Sequence, residues 1–473
     1  MMKRSIKISF GLFVILLLLS FNVPMFKSTV QAASDKQQDA TYIVQQGDTL
    51  SSITLRFGIS LDELLSANDI SDPNSVNIGR RLIIPGLEGI SGVLTSEVLP
   101  FGSTLTGLTR QYELDQNDLV SLNRITSPSE TIAGVKFIIP INEDEEGLVP
   151  LTIMTKDTTL LEAAIQANTS PWTLIRDNQL SANWDVLPGE TLYSNGDKGN
   201  TFTIFQDVDG IIIIDLPIIQ GETLQVAIST DTTSEFSGKF NNDELYFFTD
   251  DDMTYYSFHG IHAMMEPGPY PLEITATLSD GTIQSFEQLV MLSAGAYGDE
   301  WVNVPEEYLD ESIIIEEDAY LQPILNEVSS EKYWEGRFQS PVDEPLVNSS
   351  FGQRRNYNNG VLFFYHTGMD FAVNAPNLNV YAPAAGEVVL AEALTIKGNA
   401  ILIDHGWGVV SGYWHLSEFY VSAGDFVKPG DIIGQIGNTG RSAGPHLHFE
   451  IDITGTPVNP QTWLNQEFPR QGP

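Results

Sequence analysis

Of the seven histidines in 473 residues, five fall late in the chain: His366, His405, His415, His446 and His448. Two of them alternate in "GPHLHFE" (444–450). Successive side chains of a β-strand point to opposite faces, so His446 and His448 share one face if the stretch is a strand. Upstream, "FYHTGMDF" holds His366 and Asp370. Two imidazoles and one carboxylate make a zinc donor set, and three protein ligands leave a fourth position for water, as in catalytic sites. There is no cysteine to close a structural thiolate site. His366, Asp370 and one member of the 446/448 pair therefore read as metal ligands. Alternation alone treats the two members alike. The other member and His415, which follows an apolar run in "YWHLS", read as the groups that meet the water. Imidazole titrates near neutral pH and suits that work. His-Glu-x-x-His is absent. "GNTGRSAGP" lacks the Gly-Lys-Ser/Thr ending of a phosphate loop.

The elements that must position these groups are short strands in a Gly-rich region beginning near Gln339: "EVVLA", "AILIDHG", "VVSGYWHL", "DIIGQIG" and "HLHFEI". Together with "SSFGQRRNYNNG", "VYAPAAGEVVLA" and "PVNPQTWL", they resemble the lysostaphin-type (LytM-type) zinc metallopeptidases. The resemblance implies a compact β-rich enzyme that cuts peptidoglycan peptides with one zinc ion. It implies His366 and Asp370 as ligands from His-x-x-x-Asp, and His448 from the second position of His-x-His. It implies that His415 and His446 activate water and stabilise the oxyanion. His405, in "IDHG", reads as structural.

A repeat with a period of 55 residues fills the first half. Leu50, Leu105 and Leu160 align without gaps, as do Leu64, Leu119 and Leu174, and Asn68, Asn123 and Asn178. The third copy is degenerate: Gly47 becomes Asp157, and Pro85 becomes Asn195. Each unit reads strand–helix–helix–strand. Asp48 or Thr49 can cap the first helix, which ends at Phe57-Gly58. Ser60 and Glu63 form a capping box for the second helix. "GLEGISGVLTS" and "INEDEEGLVPL" read as linkers. "YIVQQGDTLSSIT" with "FGIS" resembles LysM modules, which implies binding to the N-acetylglucosamine-containing glycan of peptidoglycan or chitin.

Between the repeats and the histidine-rich region, residues 200–293 alternate β-rich runs with the turns "DVDG", "NND", "EPGP" and "SDG". About seven strands suggest an antiparallel, immunoglobulin-like sandwich. His259 and His262 in "HGIH" have no evident third ligand and read as packing or loop residues. "TDDDM" (249–253) matches no calcium loop. Residues 294–338 read as an acidic connector with a helical stretch broken at Pro323 and no chemical signature of its own.

The fold class is thus multidomain α+β. Residues 42–85, 97–140 and 152–195 are LysM-like modules, 200–293 an all-β sandwich, and 339–473 the peptidase domain. The net charge is −39, and residues 201–336 carry 27 acids against Lys239 and Lys332, which excludes nucleic acid and anionic membrane surfaces as partners. "MMKRSIK", the apolar "ISFGLFVILLLLSFNVPMF" and "TVQAAS" give a signal peptide over residues 1–32, cleaved after Ala32. The leucine-rich run is shorter than the ~20 residues of a membrane span, so no stable insertion remains after cleavage. The expectation is a secreted, wall-associated enzyme with peptidoglycan as partner. A non-catalytic wall-binding protein, or an activator of other hydrolases, is the alternative, and the complete ligand set argues against it. N-terminal sequencing of the exported protein should begin at Ala33; recovery of Met1 or Met2 on membranes would mean an uncleaved anchor.

Overall fold

The computed structural model describes residues 40–470 except 73–76, 88, 89, 91, 142–147, 155–158, 188, 189, 196–204, 206, 207, 209, 231, 233 and 252. The signal segment 1–32 lies outside the described residues. The described residues fall in one unit, and no described helix is long and apolar enough to cross a membrane.

Three strand–helix–helix–strand units stand where the repeat predicts them. The first has strands Thr41–Ile43 and Arg81–Ile83 around helices Leu50–Phe57 and Leu61–Ala67. Thr49, not Asp48, caps the first helix, and Gly58 closes it at φ 68°. Ser60 and Glu63 form the capping box. Strands Val93–Val98 and Lys136–Ile141 frame the second unit, and Val149–Ile153 and Thr191–Ser194 the third. The repeated asparagine explains itself. Asn68 bonds both backbone groups of Ile83, Asn123 both of Ile138 and Asn178 both of Tyr193, each through Nδ2 and Oδ1. One amide side chain thus ties the second helix to the returning strand in every unit.

The stretches read as linkers are partly strand. Val93 and Leu94, inside "GLEGISGVLTS", pair in parallel with Thr41 and Tyr42. The first two units therefore share one four-stranded sheet. A linker read from Gly and Ser content missed the β-branched and apolar residues just after Gly92. The third unit is joined to the second by Arg110, whose guanidinium lies 3.0 Å from Glu190.

Residues 210–293 form a five-stranded and a four-stranded sheet around one apolar core that includes Ile213, Val226, Leu272 and Val290. Nine strands are described where about seven were expected. Ile218–Ile219, Asp243–Leu245 and Phe248–Thr249 are too short to show alternation. Ile218–Ile219 also pairs in parallel with Ile283–Ser293, not antiparallel.

The acidic segment 294–338 is built into the C-terminal region. Asp299–Val302 pairs in parallel with Arg354–Tyr357. The helix Glu311–Leu325 runs through Pro323 instead of breaking there. Pro323 stands in the last turn, where only the bond to Ala319 is lost before Asn326 caps the end. Its Leu321 and Leu325 pack with Leu390, Leu402, Val410 and Trp414 on the C-terminal sheet.

That sheet has eight strands. Its centre is Met369–Ala372, His446–Ile453, Val409–Leu416 and Asn399–Gly406, in that spatial order. Trp334, Trp407, Trp463 and Phe468 form an aromatic core with Phe258 of the preceding sheets. Trp463 also donates to Thr223, 3.0 Å away.

The asparagine tie gives a stability test. Asn178→Ala strands the buried N–H and carbonyl of Tyr193, which costs about 2 kcal/mol. Native-state hydrogen exchange should show the Tyr193 amide losing protection about 30-fold; unchanged exchange would mean the tie contributes nothing to stability.

Candidate active site

Asp370 and His448 are direct cross-strand partners, and Ala372 faces His446. On the other side Trp414 pairs with His448. Alternation then brings His446, His448 and Glu450 to one face. His415 should point away from Trp414's neighbours but does not. The sequence places it after an apolar strand; it lies inside Val409–Leu416, at a register shift where Asn399 pairs Leu416 and Ile401 pairs Tyr413. Its φ is 65°, left-handed for a residue with a Cβ. Such a bulge re-aims a side chain, and this one turns His415 to within 5.0 Å of His446, ring centre to ring centre. Gly368 is the other local requirement: a Cβ there would lie 2.3 Å from the Phe449 carbonyl and 2.8 Å from His448 Nε2.

His366 Nε2, His448 Nδ1 and Asp370 Oδ1 form a triangle with sides of 2.9, 2.9 and 3.0 Å. All three residues are buried. The opposite nitrogen of each imidazole is committed. His366 Nδ1 donates to the Ser350 carbonyl at 2.8 Å, and His448 Nε2 donates to Glu450 at 2.8 Å. Those acceptors turn the other nitrogen of each ring inwards, so two imidazole nitrogens and a carboxylate oxygen converge. Three acceptors so close repel unless a proton or a metal cation stands among them. Tetrahedral zinc at its usual bond lengths spaces its ligands by about 3.3 Å, so the donor set fits such an ion with a small outward shift.

His415 and His446 obey the same rule. His415 Nδ1 donates to the Thr439 carbonyl at 2.8 Å, and His446 Nδ1 to the Gly444 carbonyl at 2.7 Å. Both Nε2 atoms are left over, and that of His446 lies 3.5 Å from Asp370. The five predicted site residues are thus brought together. His405 is not among them: it bonds the Ala385 carbonyl and Ser411 in the core. His259 and His262 pack against Phe240 and Tyr365.

Burial holds His366 at about 4, against the pull of Asp370. Burial likewise lowers His415 and His446. In these three rings burial favours the neutral form. Burial opposes charge on His448 too, but the Asp370 and Glu450 carboxylates outweigh it and raise its pKa. Desolvation works against the Asp370 carboxylate, yet the imidazoles around it hold its pKa well below the usual range.

Sequence reasoning missed the supporting groups. Arg355 bonds Asp370 Oδ2 and, through Nε, Glu300 at 2.7 Å. Lys397 lies 3.2 Å from Glu450, and Thr367 also donates to it. Glu450 was within reach, two residues beyond His448 on the same strand face. Arg355 and Glu300 belong to strands whose pairing no local pattern announces. A cleft of about 40 Å³ opens between His366, His415 and His448, with Tyr365, Lys397 and Arg441 on its walls. It has room for water.

Comparison with known proteins matches the profile of Peptidase family M23 to residues 364–460 and that of the LysM domain to residues 42–85. The chain is 44% identical over 124 residues to the DD-carboxypeptidase/endopeptidase Mpg of Neisseria meningitidis, covering 25% of this chain and 27% of the relative. It is 39% identical over 122 residues to the peptidoglycan DD-endopeptidase ShyA of Vibrio cholerae, covering 25% and 28%. The chain thus spans about a quarter of the length of the curated relatives it matches. Among solved structures, the catalytic domain of lysostaphin from Staphylococcus simulans is 30% identical, with a TM-score of 0.21, over 31% of this chain and 98% of that one. The converging donors lie within the first matched segment, and the capped helices Leu50–Phe57 and Leu61–Ala67 within the second: the chain carries a peptidase family M23 domain and a LysM domain.

Proposed function

We propose that this chain is an exported, wall-bound zinc metalloendopeptidase that hydrolyses peptide bonds in peptidoglycan stem peptides or cross-links. The observation that carries the reading is the convergence of His366 Nε2, Asp370 Oδ1 and His448 Nδ1 within 3.0 Å of one another. These residues hold one zinc ion. Bound there, zinc supplies Lewis acidity towards a scissile carbonyl and lowers the pKa of water to about 7. His415 and His446 then divide the proton work. Burial favours the neutral form of each, with Nδ1 anchored on a carbonyl and Nε2 on the side of the site. The one that takes the proton of the attacking water at Nε2 becomes an imidazolium and later returns that proton to the leaving amine; the other takes up a proton from solvent at Nε2 as negative charge develops and then donates a hydrogen bond to the oxyanion. Arg355, Glu300 and Glu450 act by orientation, as outer-shell partners do in metal sites.

Residues 97–140 and 152–195 are read as further LysM-like modules, and 200–293 as an immunoglobulin-like sandwich carrying the peptidase domain 339–473 through the connector 294–338. The DD-endopeptidase names of the matched relatives support peptide cross-links as the target. Several weak modules on one polymer add effective concentration rather than chemistry. The peptidase cuts within reach of the glycan that the modules hold.

Ligands and proton-transfer groups separate by mutation. His366→Ala and His448→Ala should lose both zinc and wall hydrolysis. His415→Ala and His446→Ala should keep about one zinc while turnover falls ~10²–10⁴-fold. Bound zinc by atomic absorption and release of peptides from purified walls read both quantities. Zinc lost from His446→Ala but kept by His448→Ala would exchange their roles.

A second measurement concerns the wall. Residues 40–196 should sediment with insoluble peptidoglycan without cutting it, and more completely than residues 40–90. Equal retention of the two would leave the second and third units without a part in binding.

A further inference from the structure

Three cations line the cleft: Arg355, Lys397 and Arg441. Two are accounted for. Arg355 is held by Asp370 and Glu300, and Lys397 by Glu450. Arg441 is different. Among the described residues no carboxylate lies within ion-pair distance of it, although acids outnumber bases 62 to 23. Asp318 lies within its field but makes no ion pair with it. Arg441 Nη1 has no exposed surface and no acceptor. In so acidic a protein, a guanidinium left unpaired inside the cleft has its partner missing.

That guanidinium is held against aromatic rings. It lies 4.9 Å from the Tyr357 ring centre and 5.6 Å from that of Phe364. Cation–π contact engages the charge and uses no N–H donor, and Nη1 has no acceptor, so the guanidinium keeps donor capacity in the fork that matches a carboxylate. Its backbone is fixed as well. Arg441 N donates to the Ile396 carbonyl at 2.8 Å. The next residue, Ser442, bonds Asn438 and Gly444, and contacts His446 Nδ1 at 3.2 Å. The donor fork is therefore preorganised on the loop that also delivers His446.

We propose that Arg441 binds a free carboxylate of the peptide substrate and is a specificity-determining residue of the cleft. The inference rests on the peptidase reading and adds the chemistry of the substrate: a peptide bearing an unamidated carboxyl group. The local positive charge also offsets the repulsion that a −39 chain would exert on an anionic peptide.

The test uses the full zinc-loaded chain and one synthetic cross-linked peptide dimer in two forms, free acid and fully amidated. The wild type should cut the free acid with kcat/KM about tenfold higher or more, the scale of one charge-assisted pair. Arg441→Gln should reduce that preference to within about twofold, and Arg441→Lys, which keeps the charge but not the fork, should retain part of it. Bound zinc confirms that each variant is folded around the site. A wild type without preference, or Arg441→Gln with the full one, overturns the proposal. Calorimetric binding of the uncut dimers to the metal-free chain decides the same question without turnover: tighter binding of the free acid in the wild type, and equal binding in Arg441→Gln, sustain it. That binding difference without any cutting would sink the peptidase reading alone; equal binding in the wild type would sink Arg441.

Discussion

Four imidazoles in this structure share one constraint: each gives its outer ring proton to a fixed acceptor. For His366, His415 and His446 the acceptor is a backbone carbonyl, and for His448 it is a buried carboxylate. Neutral imidazole has one proton and one lone pair, so anchoring the first aims the second. The centre is therefore assembled from the outside inwards. What the sheet, the bulge and the loop 437–444 accomplish is to bring four acceptors to the correct places behind four rings.

The support of those acceptors extends well beyond the histidines. Glu450 is balanced by Lys397. The backbone at Ile396 and Lys397 is held in turn by Glu317, which accepts both amides at 2.8 Å from the helix Glu311–Leu325. Glu300, on the strand Asp299–Val302, steadies Arg355 and bonds Ser349. The acidic segment before the peptidase region is thus part of the scaffolding of the centre. The sandwich contributes as well, through His262 against Tyr365, the neighbour of His366.

What could be read in the sequence depends on the range of the interaction. Helix caps depend on residues three apart, so Ser60 and Glu63 were legible. The shared face of His446 and His448 needs only the strand period. His366 and Asp370 came from a short motif and a resemblance. The bulge at His415 was not legible, because a register shift is a property of two strands. Nor were Arg355 and Glu300, whose contact depends on a parallel pairing across more than fifty residues of chain. Pro323 misled for the opposite reason: a local rule was applied without asking which turn of the helix it fell in. The reading of Gly92 and its neighbours as a linker failed similarly, since a two-residue parallel pairing leaves no pattern.

That pairing, Thr41 with Val93 and Tyr42 with Leu94, fixes how the first two units sit relative to each other. Units on a flexible tether search independently, and the length of the tether sets the gain from joining them. Units fused through one sheet cannot. Their spacing and relative rotation are cast into the backbone. Were both units to bind one polymer, a chain repeating with the matching pitch would engage both without further loss of freedom.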